Sequence, residues 1–159
     1  MAVDIFLKLT DVKGEAMDKS HKDEIDVLAW SWGASQSGTT HMGGGGGSGK
    51  VSVQDLSVTK YIDASSNALL RCVATGEHIA EALLTIRKAG KKPLEYIKLL
   101  MKDCIVSSVS SGGSGGEDRL TENITLNFAK FEYTYVTQKA DGSAGTNMPF
   151  NFDIAANAE

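Results

Sequence analysis

Residues that hold metals or form covalent bridges are scarce in this sequence, which has only two cysteines, Cys72 and Cys104, and three histidines, His21, His41 and His78. Without a second cysteine pair there is no zinc knuckle, and free buried thiols are favoured over a disulfide. The histidines show no His-x-x-x-His spacing, so they read as solvated or core-rim side chains and no metal is expected. Excess basic charge is missing too: 16 Lys and Arg against 20 Asp and Glu leave a net charge of −4. A mildly acidic surface repels phosphate, so no nucleic-acid partner is expected, and no basic amphipathic stretch points to a membrane surface. Long apolar runs are also lacking. Ile97–Met101 is interrupted by Lys98 and is far too short to span a bilayer, so no membrane insertion is expected. The opening residues Met1 to Lys8 have no basic leader or apolar stretch of signal length and read as a strand. The expectation is synthesis in the cytoplasm without a signal peptide, with any export using a route that does not read one.

What is present suits one folded unit. At 159 residues the chain is the size of a single domain, expected over residues 1–159 with a glycine-rich loop at about 36–50. With 42% hydrophobic and 23% charged residues, the composition is that of a folded chain rather than a disordered one. Alternation with period two dominates, which places alternate side chains on opposite faces of a strand.

The alternation predicts strands over about Val3–Leu9, Ile25–Ser35, Val51–Ile62, His78–Lys88, Leu94–Val109 and Leu120–Thr137, with a short one holding Met148, Phe150 and Phe152. Leu28, Trp30 and Trp32 are expected together on a core face. Apolar parity changes within Val51–Ile62 and again at Phe131, each marking a bulge or a crossing between sheets. One short helix is expected after Asp63-Ala64-Ser65-Ser66. It carries the stripe Leu69, Cys72 and Val73, is closed by Gly76, and would cover an open end of the β structure. The fold class is therefore mainly β, a barrel or sandwich of about seven or eight strands with one flanking α-helix.

Motifs that resemble catalytic sites fail on chemistry. Gly44-Gly45-Gly46-Gly47-Ser48-Gly49-Lys50-Val51 follows the phosphate-loop pattern until its last position, where a hydroxyl should bind magnesium and Val51 has none. A phosphate loop also opens a helix, whereas Val51-Ser52-Val53-Gln54 alternates like a strand. Ser114 in Gly112-Gly113-Ser114-Gly115-Gly116 imitates part of a nucleophile elbow but does not open a helix as that motif must. The carboxylate pairs Asp23/Glu24 and Glu117/Asp118 sit in turn-like stretches and read as solvated charge. Asn123-Ile124-Thr125 fits the glycosylation triplet only by chance, in mid-strand. No catalytic residue, enzyme activity or cofactor is expected.

Two features point beyond a lone globule. The small or polar residues Ala29, Ser31, Thr121, Thr125 and Asn127 fall opposite the core parity, as the wall of a water-filled lumen would require. A glycine loop loses much entropy on ordering, so contacts from a neighbour must supply its order.

Several runs closely resemble the haemolysin-coregulated protein (Hcp) family: Phe6-Leu7-Lys8-Leu9, Val12-Lys13-Gly14-Glu15, His21 and Ile25-Asp26-Val27-Leu28-Ala29-Trp30-Ser31-Trp32-Gly33. Leu84-Thr85-Ile86-Arg87-Lys88-Ala89-Gly90 and Leu120-Thr121-Glu122-Asn123-Ile124-Thr125-Leu126-Asn127-Phe128 extend the resemblance over nearly the whole chain. It implies a two-sheet β-barrel and the role of tube subunit in the bacterial type VI secretion apparatus. Hexameric rings would stack into a hollow tube carrying a spike and effectors, expelled when an outer contractile sheath shortens. Implied partners are other copies of the chain, the spike, the sheath and effector proteins. The resemblance puts Ser31 toward the lumen, with Ala29, Thr125 and Asn127 as further lumen or effector candidates. It assigns a subunit or ring contact to Gly38, Gly43, Gly44, Gly45, Gly46, Gly47, Ser48, Gly49 and Lys50. The competing readings are an autonomous carbohydrate- or lipid-binding barrel, which requires an apolar cavity and a monomer, and a secreted effector, which requires an added catalytic domain.

Overall fold

The computed structural model describes residues 2–37 and 50–159. In chain order the strands are β1 (Val3–Leu9), β2 (Ile25–Ser31), β3 (Ala34–Ser35), β4 (Ser52–Val53) and β5 (Leu56–Tyr61), followed by helix α1 (Ser66–Thr75). Then come β6 (His78–Lys88), β7 (Leu94–Gly112), β8 (Thr121–Gln138) and β9 (Ala144–Asp153). Six strands close on themselves in the order β5-β2-β1-β6-β7-β8, because β8 pairs back onto β5. Every pairing is antiparallel, and closure removes the open edges that a flat sheet would leave. β9 adds a seventh strand to β8 beyond the barrel, and β3 and β4 form a separate two-stranded ribbon.

The interior follows the alternation closely in Leu7 and Leu9 of β1, Leu56 and Val58 of β5, and Ala82, Leu84 and Ile86 of β6, all buried. In β8, Phe128 and Phe131 are both buried although three residues apart. The same three-residue step separates Ile79 from Ala82 in β6 and Met101 from Cys104 in β7. These positions are in register, with Ala82 opposite Met101 and Phe131 opposite Met101, then Ile79 opposite Cys104 and Cys104 opposite Phe128. The expected bend at Phe131 is thus one row of a corner crossing three strands, where the inward-facing parity of the barrel wall changes. Asp103, with φ 55°, sits at this corner in β7. The corner also corrects the expected core face of β7: Cys104 and Val106 are buried, and Ile105 is only partly so.

Two further expectations need correction. Leu28 is 45% exposed instead of joining Trp30 and Trp32 inside, because a register shift between Val27 and Ala29 exchanges the faces of β2. The predicted Val51–Ile62 strand divides into β4 and β5, and Lys60, not Ile62, takes the interior position after Leu56 and Val58.

Helix α1 lies where predicted. Leu69 and Cys72 are buried in the core cluster, with Val73 packed against it, and Gly76 (φ 70°) closes the end by donating its N–H to the Cys72 carbonyl at 2.9 Å. Its N-cap residue Ser65 makes no capping bond; its hydroxyl turns to Asp63 Oδ1 at 2.5 Å. Beneath the helix start, fully buried Lys60 donates to the Tyr61 carbonyl at 2.9 Å and to Glu122 Oε1, and forms an ion pair with Asp63 Oδ1 at 3.0 Å. Both cysteines are buried free thiols, and burial pushes the Cys104 thiol up to about 12.

Residues 10–24 form a strap across the barrel. Gly14 and Ala16 donate to the carbonyls of Asp23 and Glu24, and His21 stacks on Phe6 with ring centroids 4.3 Å apart. His21 Nε2 lies 2.6 Å from Glu95 Oε1 and its Nδ1 2.9 Å from Glu24 Oε2, so this histidine sits at the core rim. Arg87 grips Asp18 with two bonds, 2.6 and 3.1 Å long. The Arg87 side-chain bonds, with help from the Ser20 N–H, hold the Asp18 carboxyl down at about 2. Because this pKa lies below that of an unfolded aspartate, near 3.9, the clamp stabilises the strap fully above about pH 4 and is lost as pH falls toward about 2. Protection factors of the residue 11–24 amides, taken against the unfolded-chain rate at each pH, should therefore fall between about pH 4 and 2 in the parent; Asp18→Asn should remove that acid step.

Candidate functional site

Opposite the core, four neighbouring strands present a continuous face of small, mostly polar side chains. Ser31 of β2 is paired with Ser57 of β5, Ser57 with Thr125 of β8, and Thr125 with Ser108 of β7. The next row runs Ala29, Thr59, Asn123 and Ser110. Direct cross-strand partners share a face, as do residues two apart, so Ala29, Ser31, Thr125 and Asn127 all belong to this one surface. Nothing in these two rows is larger than asparagine.

The face is internally bonded. Thr59 Oγ1 donates to Asn123 Oδ1 at 2.6 Å, and Thr125 Oγ1 lies 2.6 Å from both Ser107 Oγ and Ser108 Oγ. Asp55 accepts from Ser107 Oγ at 2.6 Å and from Asn127 Nδ2 at 2.8 Å. Short side chains tied to one another have little freedom to collapse over the surface, which keeps it smooth and wetted. The register shifts in β2 and between Val106 and Ser108 in β7 bring these hydroxyls into line.

A second surface has the opposite character. Beyond the barrel, β9 pairs with β8 so that Tyr135 faces Met148 and Tyr133 faces Phe150. Tyr135, Met148 and Phe150 remain 39%, 55% and 46% exposed, and among the described residues β9 has hydrogen-bonded strand neighbours on one side only. An exposed apolar strip beside an open strand edge is a surface suited to another chain.

Among the expected contact residues, Lys50 is described and exposed; Gly38, Gly43, Gly44, Gly45, Gly46, Gly47, Ser48 and Gly49 lie outside the described residues. The β3–β4 ribbon flanks that segment, with Ala34 opposite Val53 and Ser35 opposite Ser52. Among the described residues no group of three or more His, Cys, Asp or Glu is arranged to hold a metal ion, and no helix is long and apolar enough to cross a membrane.

Residues 6–135 match the family model described as type VI secretion system effector, Hcp. The chain belongs to the Hcp family. It is 58% identical to protein hcp1 of Pseudomonas aeruginosa over 100% of this chain and 99% of that protein. Among solved structures, Hcp1 from Salmonella typhimurium superposes with a TM-score of 0.81 at 37% identity, covering 99% of this chain and 98% of that one. A structure described as a type six secretion system protein superposes with a TM-score of 0.92 at 31% identity, with 98% of each chain covered. Hcp proteins belong to type VI secretion and are a structural, secreted family rather than an enzyme family. The resemblance read from the sequence is therefore correct at the level of family and fold.

The buried Lys60–Glu122 pair and the Asp55 cluster escape a reading of the sequence for catalytic motifs. A signal for the first does exist: Lys60 and Glu122 stand at the interior parity of β5 and β8, alongside Leu56, Val58, Ile124 and Leu126.

Proposed function

We propose that this Hcp protein is the tube subunit of a type VI secretion apparatus. Hexameric rings stack into a hollow tube, sheath contraction expels it behind a spike, and effectors travel in its lumen. The observation that carries this reading is the unbroken small-polar face across β2, β5, β8 and β7. A curved wall of short hydroxyl and amide side chains suits a wet channel, because it offers hydrogen bonds without filling the bore. Ala29, Ser31, Thr125 and Asn127 are its lumen-facing residues in this reading, and effector proteins are its cargo.

The apolar strip of β9 supplies contacts between subunits of a ring. The segment around residues 36–50, at the end of the ribbon, meets a neighbouring subunit or ring. Heterologous contacts of this kind either close into rings or propagate as filaments, and a tube uses both. Export by contraction carries the protein out without a membrane-crossing element of its own.

Light scattering on the size-exclusion peak, followed by negative-stain imaging, tests the assembly. Hexamers seen as rings are the expected result; a protein that stays monomeric at high concentration would sink the reading. With rings in hand, Ser31→Gln should leave their size unchanged while reducing effector retention, because the longer side chain projects into the bore from the β2 side of the face.

A further inference from the structure

Asp55 stands at the junction of the small-polar face and the β3–β4 ribbon. It directly precedes β5 and continues its outward face by one step, since Leu56 is opposite Leu126 and Asp55 therefore lies beside Asn127. Its two carboxylate oxygens are both engaged, one by Asn127 of β8 at 2.8 Å and the other by Ser107 of β7 at 2.6 Å. Ser107 continues to Thr125 at 2.6 Å. On its other side, Asp55 follows the ribbon by a single residue, Gln54, whose N–H donates to the Gly33 carbonyl at 2.9 Å.

The ribbon thus has two unlike anchors. Its incoming strand follows Trp32, whose ring packs edge-on to Phe131 with centroids 5.0 Å apart and stacks near Tyr133 at 6.0 Å. Its outgoing strand leads directly into Asp55. A two-residue-per-strand ribbon has too few ladder bonds to hold an orientation alone, so its attachments set its direction. The apolar anchor tolerates rocking, because dispersion contacts are non-directional. The carboxylate does not, because it accepts two directional bonds from two different strands.

We infer that Asp55 is a positioning residue: it locks the β3–β4 ribbon to the small-polar face, so that the face and the ribbon move as one body. The inference rests on the tube reading for its consequence, which is that occupancy of the face around Thr125 and Asn127 is felt at the ring-to-ring contact. Among the described residues, Asn127 bonds Asp55 directly and Thr125 reaches it through Ser107.

Hydrogen exchange on the full-length assembled protein tests it, comparing the parent with Asp55→Ala. Ribbon amides at residues 33–35 and 52–54 should exchange about tenfold faster in the variant, while β1 and β6 amides keep the parent rate. The exchanged pair Asp55→Asn with Asn127→Asp, which reverses donor and acceptor, should restore the slow rate. Unchanged ribbon exchange in Asp55→Ala would overturn the inference, as would equal acceleration throughout the barrel. Tube assembly, scored by end-to-end ring stacking, is read separately. If the ribbon loosens and stacking persists, Asp55 keeps its positioning role and the assignment of the 36–50 segment to the ring contact falls.

Discussion

Lys60→Met should destabilise the barrel by about 3–5 kcal/mol, the loss characteristic of removing one partner from a buried ion pair. Lys60 is fully buried, and its ammonium reaches Glu122, Asp63 Oδ1 at 3.0 Å and the Tyr61 carbonyl at 2.9 Å, with the Ser66 hydroxyl at 3.4 Å. Methionine keeps most of the stem volume, so little of the effect comes from a cavity. The loss comes from two carboxylates left without a cation: Glu122 is 3% exposed, and the Asp63 side chain 7%. Glu122 also accepts from Ser66 Oγ at 2.7 Å, so the same change loosens the first turn of α1. Urea unfolding followed by tryptophan fluorescence would measure this. A shift under about 1 kcal/mol would show that water or a rearranged partner replaces the ammonium. Pairing Lys60→Met with Glu122→Leu should restore part of the loss, since it removes one of the two uncompensated carboxylates and leaves only Asp63.

Met148→Asp with Phe150→Asp should convert rings to monomers at micromolar concentration while leaving the monomer folded. Both side chains are about half exposed already, so burying the remainder in a ring contact contributes roughly 1.5–3 kcal/mol for the pair. That alone is a factor of about 10–100 in dissociation constant. The new carboxylates add the cost of desolvating unpaired charge, which raises the factor further. The fold should tolerate the exchange, because neither residue belongs to the core cluster and β9 lies outside the closed barrel. Light scattering checks the assembly, and thermal unfolding of the separated monomer checks the fold. Intact rings in the double variant would remove β9 from the subunit contact.

The barrel was legible in the sequence because its strands keep one hydrophobic period for long stretches. His78–Lys88 coincides with β6 in both bounds, and the helix stripe Leu69, Cys72 and Val73 faces the core as expected. Errors arose where the period breaks. Leu28 has the parity of Trp30 and Trp32, but one register shift moves it to the outside. Ile105 continues the run Ile97, Leu99, Met101, yet the corner at Asp103 brings Cys104 and Val106 inward instead. Such breaks come from strand pairing with partners distant in the chain, so local alternation carries no record of their position.

The candidate site was legible to a lesser degree. Alternation alone grouped Ala29 with Ser31 and Thr125 with Asn127, since residues two apart share a face. It could not say that the two pairs form one surface, which requires β5 to lie between β2 and β8.

By itself, the sequence determined what this protein is made of: β-strands of stated periodicity, a short helix closed by Gly76, a glycine-rich run that departs from the phosphate-loop pattern at Val51, and the Hcp family pattern. Only the tertiary structure decided which faces turn inward and which side chains meet. Lys60 and Glu122 are 62 residues apart, and Asp55 and Asn127 are 72 apart. Their partnerships follow from β8 closing onto β5, a long-range antiparallel register that becomes definite only when the whole barrel is built.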